Sequence, residues 1–516
     1  MEIEPWPAFS RLIAYQGRIW GVNSVKGRNH NSADVYSYDP VTGEMAYERH
    51  LFSQDGGRPT IHDGWLFWPY EDARVSLGWG AFQVTDGTQW ALGLIDTSRA
   101  FHTHAMAASP TIGEGDRLYA ATSAWRAKVQ ISDDGGRSWR QIYDHPTPEG
   151  RVSRIVELQP HGDELLVRLS SRQERGLFLL SPTGALRPLP GWPENPVTAA
   201  WAVDGEKIFA VLGSGEGQAL WVSDGVTGKG AGGLPKGAGR VRDLAAADGR
   251  LWLLTAGVED GRVWSQPLKY AQDGADWRQE LALTGGRPSE MLFACGGLYL
   301  AGSGVGGEGA LWGQDFDFVE PCPDEAPRGP WRANLVTSDQ DWRAELEAFE
   351  ALLMDPASYR GHGGLLRDQA LRLVRAGPAP EVWAALAALP LPEDPLPLIG
   401  GAVEVPSAHL GRWVIFWAQA QAGEGRVDPY WLQEPWQAPE NPSEKYFETL
   451  LAAIAGAAAS GQEDGETVAA LIDQLADSDA PLWLKGDVIG ALSAITGERF
   501  AYDPAAWKKW WKARTP

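Results

Sequence analysis

The sequence His102-Thr-His104 places two imidazole side chains two residues apart. Because alternate residues of a β-strand face the same side, a strand here would present both rings together. With a carboxylate from the pair Glu71-Asp72, they could hold a metal ion through two nitrogen atoms and one oxygen atom. The alternative is two polar residues at the start of a strand, each hydrogen-bonded to backbone. We therefore treat His102 and His104 as candidate ligands only, and we expect no metal and no cofactor.

The carboxylates Glu71 and Asp72 are also the candidates for acid–base catalysis. Adjacent strand residues point to opposite faces, so this pair makes a poor catalytic constellation by itself. Arginines could clamp an anionic ligand, and Trp125, like Trp79, could stack on a sugar ring. Solvated arginines and tryptophans that fill the core are the alternatives. The candidate ligand-binding residues are Arg28, His30, Arg74, His102, His104, Trp125 and Arg126.

The stretch Ser132-Asp-Asp-Gly-Gly-Arg-Ser-Trp139 has the spacing S-x-D-x-G-x-S-W. This pattern resembles the Asp-box of sialidases and of several other families of β-propeller proteins. Serine and aspartate side chains can accept hydrogen bonds from turn amides, and glycine allows a positive φ. The resemblance implies a structural turn on the outer hairpin of a blade, opposite the active site, and thus a fold rather than a reaction. The structural residues would be Ser132, Asp134, Gly136, Ser138 and Trp139.

A glycine turn that leads into a pair of apolar residues recurs through the first part of the chain. The glycines of these units are 43 to 51 residues apart, at Gly17, Gly64, Gly115, Gly162, Gly205, Gly249 and Gly296. Most units contain a second turn signal farther on, which gives about four short strands per unit, the repeat of a propeller blade. The sequence therefore predicts a seven-bladed β-propeller over residues 1–321.

After residue 321 the apolar residues recur with a period near 3.6, which is typical of amphipathic helices. We predict a Pro-rich linker over 322–337 and a helical domain over 338–516. The final segment, "ALSAITGERFAYDPAAWKKWW", resembles the end of HEAT-type bacterial repeat proteins, which implies an all-α HEAT-like domain. The predicted fold class is therefore multidomain β + α. The predicted helices cover 338–355, 364–375, 380–389, 407–422, 443–460, 466–476, 481–496 and 504–513.

The charge balance limits the possible partners. The chain has 67 acidic and 45 basic residues and a net charge of −22, which disfavours nucleic acid and anionic membranes. No apolar run reaches the roughly 20 residues that cross a bilayer, so we expect a soluble protein without a transmembrane segment. The beginning of the chain lacks the features of a signal peptide. We expect a cytoplasmic protein if Met1 is the native start, and a periplasmic or secreted one if a signal peptide has been removed.

The chain has two cysteines, Cys295 and Cys322. If Phe316–Pro321 forms the outer strand of the seventh blade, the two cysteines lie at opposite ends of that blade. A disulfide requires Cα atoms within about 7 Å, so this assignment predicts two free thiols, with Cys295 buried and Cys322 partly exposed. The segment Ile3–Pro7 could instead supply the outer strand, and Cys322 would then lie elsewhere.

No nucleophile motif, phosphate-binding loop, zinc signature or dinucleotide fingerprint is recognisable in the sequence. The leading interpretation is a non-enzymatic interaction or scaffold protein that presents a propeller face and a helical array to a protein or carbohydrate partner. Long polar loops favour a binding face over blades one to four. The loops Gly213–Gly217 and Gly302–Gly307, in blades five and seven, look nearly featureless. The alternatives are a glycoside hydrolase, a lyase or a carbohydrate-binding lectin acting at the mouth of the channel.

Overall fold

Seven four-stranded antiparallel sheets form a β-propeller, which confirms the predicted number of blades. A short region of helices follows it. The computed structural model describes residues 2–3, 5–24, 33–71, 80–95, 100, 102–109, 117–270, 277–323, 327, 331, 341–355, 369, 372–373, 376, 385, 389, 395–398, 403–406, 427, 429–433 and 449–514.

The strands of the blades follow one another along the chain. Blade one contains β2 (Ala8–Tyr15), β3 (Arg18–Ser24), β4 (Ala33–Tyr38) and β5 (Met45–Leu51); blade two contains β6 (Thr60–His62), β7 (Trp65–Pro69), β8 (Gly80–Thr85) and β9 (Trp90–Ile95). Blade three contains β10 (His102–Ser109), β11 (Arg117–Ser123), β12 (Ala127–Ser132) and β13 (Arg140–Asp144); blade four contains β14 (Ser153–His161), β15 (Glu164–Ser171), β16 (Arg175–Leu180) and β17 (Leu186–Pro188). Blade five contains β18 (Thr198–Asp204), β19 (Lys207–Leu212), β20 (Ala219–Ser223) and β21 (Gly228–Gly232); blade six contains β22 (Arg240–Ala247), β23 (Arg250–Ala256), β24 (Asp260–Pro267) and β25 (Arg278–Thr284). Blade seven contains β26 (Gly286–Ala294), β27 (Gly297–Gly304), β28 (Gly309–Asp315) and β1 (Glu2–Ile3).

The tight turns between the first two strands explain the recurring glycine. In blades two and six the turn residues are Asp63-Gly64 and Asp248-Gly249, and their φ angles are 50°, 75°, 50° and 61°. Two successive residues with positive φ are the mark of a type I′ turn, which fits the right-handed twist of paired strands and favours aspartate followed by glycine. The repeated glycines that the structure describes therefore mark hairpin turns.

The N-terminus closes the propeller. Strand β1 pairs with β28 in antiparallel register, with Glu2 opposite Ala310 and Ile3 opposite Gly309. The amide of Gly309 also donates a hydrogen bond to the carbonyl of Trp6 (2.9 Å). The outer strand of blade seven thus comes from the start of the chain. The assignment of that strand to Phe316–Pro321 was wrong.

This closure changes the position of Cys322. After β28 the chain folds back under the turn of blade seven, where Phe316 N–H donates to Gly296 O (2.9 Å) and Gly296 N–H donates to Glu320 O (3.0 Å). Cys295 and Cys322 come together and form a disulfide, with their Cα atoms 4.0 Å apart. The prediction of two free thiols was wrong because it depended on the incorrect outer strand.

Neighbouring blades pack through apolar side chains. Between blades three and four, Tyr119 and Val129 belong to the same buried cluster as Leu158 and Val167. Burying a large apolar side chain contributes roughly 1.5–3 kcal/mol to folding. Contacts of this kind, repeated around the ring, hold the seven sheets in place and fix the loops at both ends.

The C-terminal region contains six helices among the described residues: α1 (Trp342–Leu353), α2 (Tyr430–Gln433), α3 (Thr449–Ser460), α4 (Gly465–Ala476), α5 (Leu482–Thr496) and α6 (Pro504–Arg514). Two short strands, β29 (Pro395–Leu398) and β30 (Val403–Pro406), pair in antiparallel register between the helices. The helices predicted over 364–375, 380–389 and 407–422 fall mostly outside the described residues. The six short helices do not confirm an all-α HEAT-like domain. No helix in the described part of the chain is long and apolar enough to span a membrane.

Helix α5 packs on the outer strand of blade one through a buried group of charges. His50 lies between two carboxylates, with Nδ1 2.8 Å from Asp34 Oδ1 and Nε2 2.7 Å from Asp487 Oδ1. Carboxylates only accept hydrogen bonds, so both ring nitrogens donate and His50 is an imidazolium ion. Burial lowers the pKa of His50, but hydrogen bonds to Asp34 and Asp487 outweigh it and raise the pKa above 6.5. Tyr502 and Trp6 donate to the second oxygen of Asp34.

The described residues of the predicted linker lie against the propeller. Pro323 O accepts a hydrogen bond from Gly17 N–H in blade one (3.1 Å). Trp331 is buried, donates from Nε1 to Gly135 O in blade three (2.8 Å), and packs edge-on against Phe82 of blade two. This segment is therefore part of the packed structure at the first three blades.

Candidate functional site: the mouth face of the propeller

The order of the strands divides the loops between two faces. Turns from the first to the second strand of a blade, and from the third to the fourth, lie on one face, which we call the hairpin face. Loops from the second to the third strand, and loops between blades, lie on the other, which we call the mouth face. Because loops on a rigid scaffold carry most binding residues, the mouth face around the central channel is the candidate site.

The structure describes some of the residues that the sequence predicted for this site. Arg28, His30, Asp72 and Arg74 lie outside the described residues, as does Trp79. The others lie on the mouth face of blades two and three, at the ends of β7 and β10 and in the loop between β11 and β12. They are Glu71, His102, His104, Trp125 and Arg126.

Glu71, His102 and His104 form a compact group. The two imidazole rings stack with their centroids 5.3 Å apart. His102 Nδ1 donates to the carbonyl of Glu71 (2.5 Å), and His104 Nε2 is 2.8 Å from Ser123 Oγ. Glu71 Oε1 lies 3.6 Å from His102 Nδ1 and 3.8 Å from His104 Nδ1. The contacts favour the interpretation of polar residues bonded at the start of a strand.

The same group has few properties of a metal site. Burial, together with the charges of His102, Arg154 and Arg11, lowers the pKa of His104 well below its usual value. His104 is therefore neutral, as a metal ligand must be, but one nitrogen already contacts Ser123. Within the described ranges, no group of three or more His, Cys, Asp or Glu side chains is placed to hold a metal ion.

Trp125 stands at the tip of the loop between β11 and β12, and its side chain is 65 % exposed. Its carbonyl accepts from Ser153 N–H (2.9 Å), and the carbonyl of Ala124 accepts from Arg154 Nη1 (2.7 Å). The neighbouring Arg126 forms an ion pair with Asp144 at 2.7 Å. The indole ring is thus exposed on a backbone that two hydrogen bonds hold in position.

The stretch Ser132–Trp139 lies on the hairpin face, between β12 and β13. Asp134 Oδ1 accepts from the amides of Arg137 (3.0 Å) and Ser138 (2.8 Å), and Ser132 Oγ accepts from Gly136 N–H (2.8 Å). Burial raises the pKa of Asp134, but the hydrogen bonds to Ser138 and Ser132 outweigh it and lower the pKa. Trp139 is buried and donates to Gly136 O. These residues hold a turn at the end of the molecule opposite the mouth.

The same arrangement recurs in other blades. Asp39 accepts from the amide of Val41, Asp86 from that of Thr88, and Asp224 from that of Val226, all at 2.8–2.9 Å. Each aspartate lies in the turn between the third and fourth strands of its blade, where such a side chain mimics a backbone turn. The stretch in blade three is therefore the fullest example of a device that the propeller uses several times.

The channel contains charged groups that sequence reasoning missed. Glu157, Asp243 and Glu290 follow a β-bulge in the inner strands of blades four, six and seven. Each accepts a hydrogen bond from the next blade: Glu157 from Trp201 Nε1, Asp243 from Met291 N–H (2.8 Å) and Glu290 from Arg11 N–H (2.7 Å). An acidic residue in the middle of each inner strand was the available signal. These carboxylates join consecutive inner strands.

Arg58 lies where these carboxylates converge. Its backbone pairs with Ala105 of blade three in a parallel bridge, so Arg58 sits between blades two and three. Burial lowers its pKa, but the charges of Glu157, Glu290 and Asp243, from blades four, seven and six, outweigh it and raise the pKa. A side chain can be close to carboxylates from so many separate blades only near the propeller axis. Arg58 therefore balances the charges at the centre of the channel.

The mouth face also exposes apolar side chains. Among the described residues of the propeller, seven large apolar side chains are exposed. Five of them lie in mouth-face loops, and each of blades three to seven contributes one. They are Trp125, Val152, Val197, Val258 and Val305, and their exposure is 40–75 %. The other two, Val41 and Val226, lie in turns on the hairpin face.

The comparisons with known proteins concern the fold. No protein-family model matches the chain, and no curated protein matches it. The chain is similar to the propeller domain of the Trilobed protease from Pyrococcus furiosus, with 12 % identity, a TM-score of 0.40, and coverage of 60 % of this chain and 96 % of that one. It is also similar to Sqt1 of Saccharomyces cerevisiae, with 9 % identity, a TM-score of 0.40, and coverage of 61 % and 98 %.

A third similar structure is the acylaminoacyl peptidase of Pyrococcus horikoshii, with 14 % identity and a TM-score of 0.39. The match covers 61 % of this chain but only 53 % of the peptidase, so the chain spans about half of that protein. At such identities a similarity concerns the fold alone. The seven sheets define the class of this protein as a seven-bladed β-propeller, followed here by a helical region.

Proposed function

We propose that this chain is a non-enzymatic interaction protein that recognises its partner with the mouth face of the propeller. The observation that carries the proposal is the set of five exposed apolar side chains around the mouth, from Trp125 to Val305. Apolar groups on one face of a soluble protein are typical of surfaces that bind other molecules. Burying them against a partner supplies binding energy that scattered polar loops lack.

The fixed backbone around Trp125 supports this proposal. An exposed tryptophan offers a large contact area with few rotatable bonds, so its immobilisation costs little entropy. The hydrogen bonds from Ser153 and Arg154 already hold the loop in one conformation. Such preorganisation reduces the cost of binding.

Catalysis at the channel is the second candidate function, and one observation favours it. Burial and the charge of Glu290 raise the pKa of Asp243 to about 7, which is the range of a general acid at neutral pH. However, the two oxygens of Asp243 accept hydrogen bonds from the amides of Leu244 and Met291. This use in joining blades favours a structural role for the carboxylate.

Arrays of immobilised peptides and glycans test the proposal. The variant Trp125→Ser/Val258→Ser removes two apolar groups from the mouth face, and Val41→Ser/Val226→Ser removes two from the hairpin face. We expect the first variant to lose the bound peptides or glycans that the parent protein retains, and the second to keep them. Binding that both variants retain, or that the parent protein lacks on both arrays, would contradict a recognition role for the mouth.

The glycan array also separates a lectin from a protein-binding module, because a lectin would retain glycans and no peptides. For catalysis, chromogenic glycosides, acidic polysaccharides and peptide anilides are the substrates to examine. Turnover that Asp243→Asn or Glu71→Gln abolishes, in a variant that remains folded, would establish an enzyme and overturn the non-enzymatic interpretation.

A further inference from the structure

Four arginines lie on the mouth face over blades six and seven. Arg240 and Arg242 are the first and third residues of β22. Arg262 is near the start of β24, and Arg287 is near the start of β26. All three strands begin at the mouth face. Because β22 and β26 are the inner strands of their blades, these arginines lie beside the opening of the channel.

The arginines lie close to one another. Burial, followed by the charges of Arg240 and Arg287, lowers the pKa of Arg242. Arg240 and Arg287, from blades six and seven, are therefore close enough to Arg242 to act on its charge. Arg242 Nε is buried and has no hydrogen-bond partner among the described residues. A buried donor without a partner destabilises the isolated protein.

Two of these side chains are held in position by backbone. Arg287 Nε donates to Val258 O (3.1 Å), and Arg262 Nη1 donates to Gly237 O (3.2 Å). A guanidinium group has five N–H donors in a rigid plane, so each retains donors for a ligand. Both side chains are therefore oriented before any ligand arrives.

Few carboxylates compensate these charges. Arg262 is 3.6 Å from Asp260 in an exposed ion pair. In the described part of the chain, Arg240, Arg242 and Arg287 are not within 4.0 Å of any carboxylate oxygen, although Glu259 and Glu308 lie in the neighbouring loops. Unpaired arginines in a chain with a net charge of −22 form a local site for negative charge.

Exposed valines flank the arginines. Val258 and Val305, in the mouth-face loops of blades six and seven, are 75 % and 68 % exposed. Aliphatic side chains suit the apolar side chains of a polypeptide. A sugar ring or a nucleobase would instead require an aromatic surface for stacking, and the exposed Trp125 belongs to blade three, away from this group.

From this combination we propose that the mouth face over blades six and seven binds an acidic polypeptide segment that carries aliphatic side chains. Aspartate or glutamate carboxylates of the segment accept hydrogen bonds from Arg240, Arg242 and Arg287, and its aliphatic side chains pack on Val258 and Val305. The inference rests on the proposed function and specifies the chemistry of the partner and the part of the mouth that it contacts.

The test uses fluorescence anisotropy with a short labelled peptide of alternating glutamate and leucine. Its companions are the same peptide with glutamine in place of glutamate, a heparin fragment and a single-stranded oligonucleotide. The variant Arg242→Gln/Arg287→Gln removes two mouth arginines. The control Arg278→Gln removes an exposed arginine from the hairpin face of blade six. Thermal unfolding of each variant verifies that it is folded.

We expect the glutamate peptide to bind more tightly than the glutamine peptide, and the affinity to fall with added salt. The double variant should lose affinity by roughly tenfold per arginine, as expected for charge-assisted hydrogen bonds, and the control should not change it. Equal binding of both peptides, or of the double variant and the parent protein, would overturn the inference.

Binding of heparin or the oligonucleotide without binding of the peptide would overturn it as well. The outcomes also distinguish this inference from the proposed function. The array could show that only non-acidic peptides bind and that their binding needs Trp125 and Val258. That result would support the proposed interaction function but refute an acidic partner. Failure of every peptide and glycan would refute both.

Discussion

Two groups of charges in this molecule differ in how they are compensated. At the interface between blade one and α5, His50 is hydrogen-bonded on both ring nitrogens to Asp34 and Asp487. On the mouth face over blades six and seven, Arg240 and Arg287 act on Arg242 with charge of the same sign. The first group is satisfied within the protein and holds two of its parts together. The second has no carboxylate partner within 4.0 Å among the described residues, which is the basis for the acidic partner that we propose.

A second contrast concerns two sides of the mouth. Over blades three and four, Arg126 is paired with Asp144, and His145 lies 3.2 Å from Glu174. These loops are rich in polar residues, which is why the sequence favoured them as the binding face. The side chains of Arg126 and His145 already have partners in the protein. Charged side chains without partners, rather than a high density of charged residues, therefore mark the candidate ligand site.

The largest expected effect on stability comes from a change in the buried group of His50, Asp34 and Asp487. The change His50→Ala leaves Asp34 and Asp487 buried without their cation, so it should reduce the free energy of unfolding by about 3–5 kcal/mol. Urea unfolding measures this loss. The control His161→Ala, in a partly exposed histidine of blade four, should cost less than about 1 kcal/mol. Equal losses in the two variants would contradict the role of the interface.

The group of His50, Asp34 and Asp487 should also make the free energy of unfolding depend on pH. Because the pKa of His50 is raised in the folded protein, the folded state holds its proton more tightly than the unfolded chain. The resulting stabilisation is complete below the ordinary histidine pKa of about 6.5 and is lost as the pH rises through the raised value. Unfolding measured from about pH 6 to pH 9 should therefore show falling stability.

The variant His50→Gln provides the control for this pH effect. It lacks the titrating imidazole, so its stability should change less over the same interval. If the slope with pH is the same in the parent protein and in the variant, another group is responsible.

A smaller effect is expected in the hairpin of blade three. Asp134→Ala removes the acceptor for the amides of Arg137 and Ser138, at a cost of about 1 kcal/mol per hydrogen bond. Asp134→Asn keeps one oxygen acceptor and should cost less. Thermal unfolding measures both, and binding at the mouth should not change. A variant with unaltered stability that no longer binds would contradict the structural interpretation of this motif.

The smallest effect on stability is expected for the mouth-face arginines of blades six and seven. Arg242→Gln/Arg287→Gln removes like charges that repel one another, so the free energy of unfolding should stay within about 0.5 kcal/mol of the parent value. Urea unfolding at low salt is the measurement. A loss as large as that of His50→Ala would mean that these arginines serve the fold, and the contrast between the two groups would disappear.

The hairpin turns and the turn around Asp134 could be predicted from the sequence because the interactions that form them join residues close together in the chain. Asp63-Gly64 and Asp248-Gly249 form type I′ turns in which the residue types follow from the backbone angles. Repetition of that turn gave the number of blades. Similarly, Asp134 and its neighbours bond to amides within four residues, so the motif itself contains the interaction.

Other features depend on contacts between distant residues. Strand β1 is only Glu2–Ile3, too short to show any alternation, and its pairing with β28 depends on closure of the whole ring. The error about Cys322 followed from this. Arg242 and Arg287 are on different blades, and they lie in strands rather than in the loops that were judged featureless. Their proximity, and their lack of carboxylate partners, could not be read from spacing along the chain.

Hydrogen–deuterium exchange of the whole protein, with and without the glutamate–leucine peptide, shows directly whether the mouth face over blades six and seven binds an acidic segment. Binding protects backbone amides near the contact. We expect slower exchange at residues 257–262, 285–287 and 304–308 of blades six and seven, and no change in the turn between β12 and β13. Protection confined to the C-terminal helices or to the hairpin face, with no change in those three loops, would contradict it.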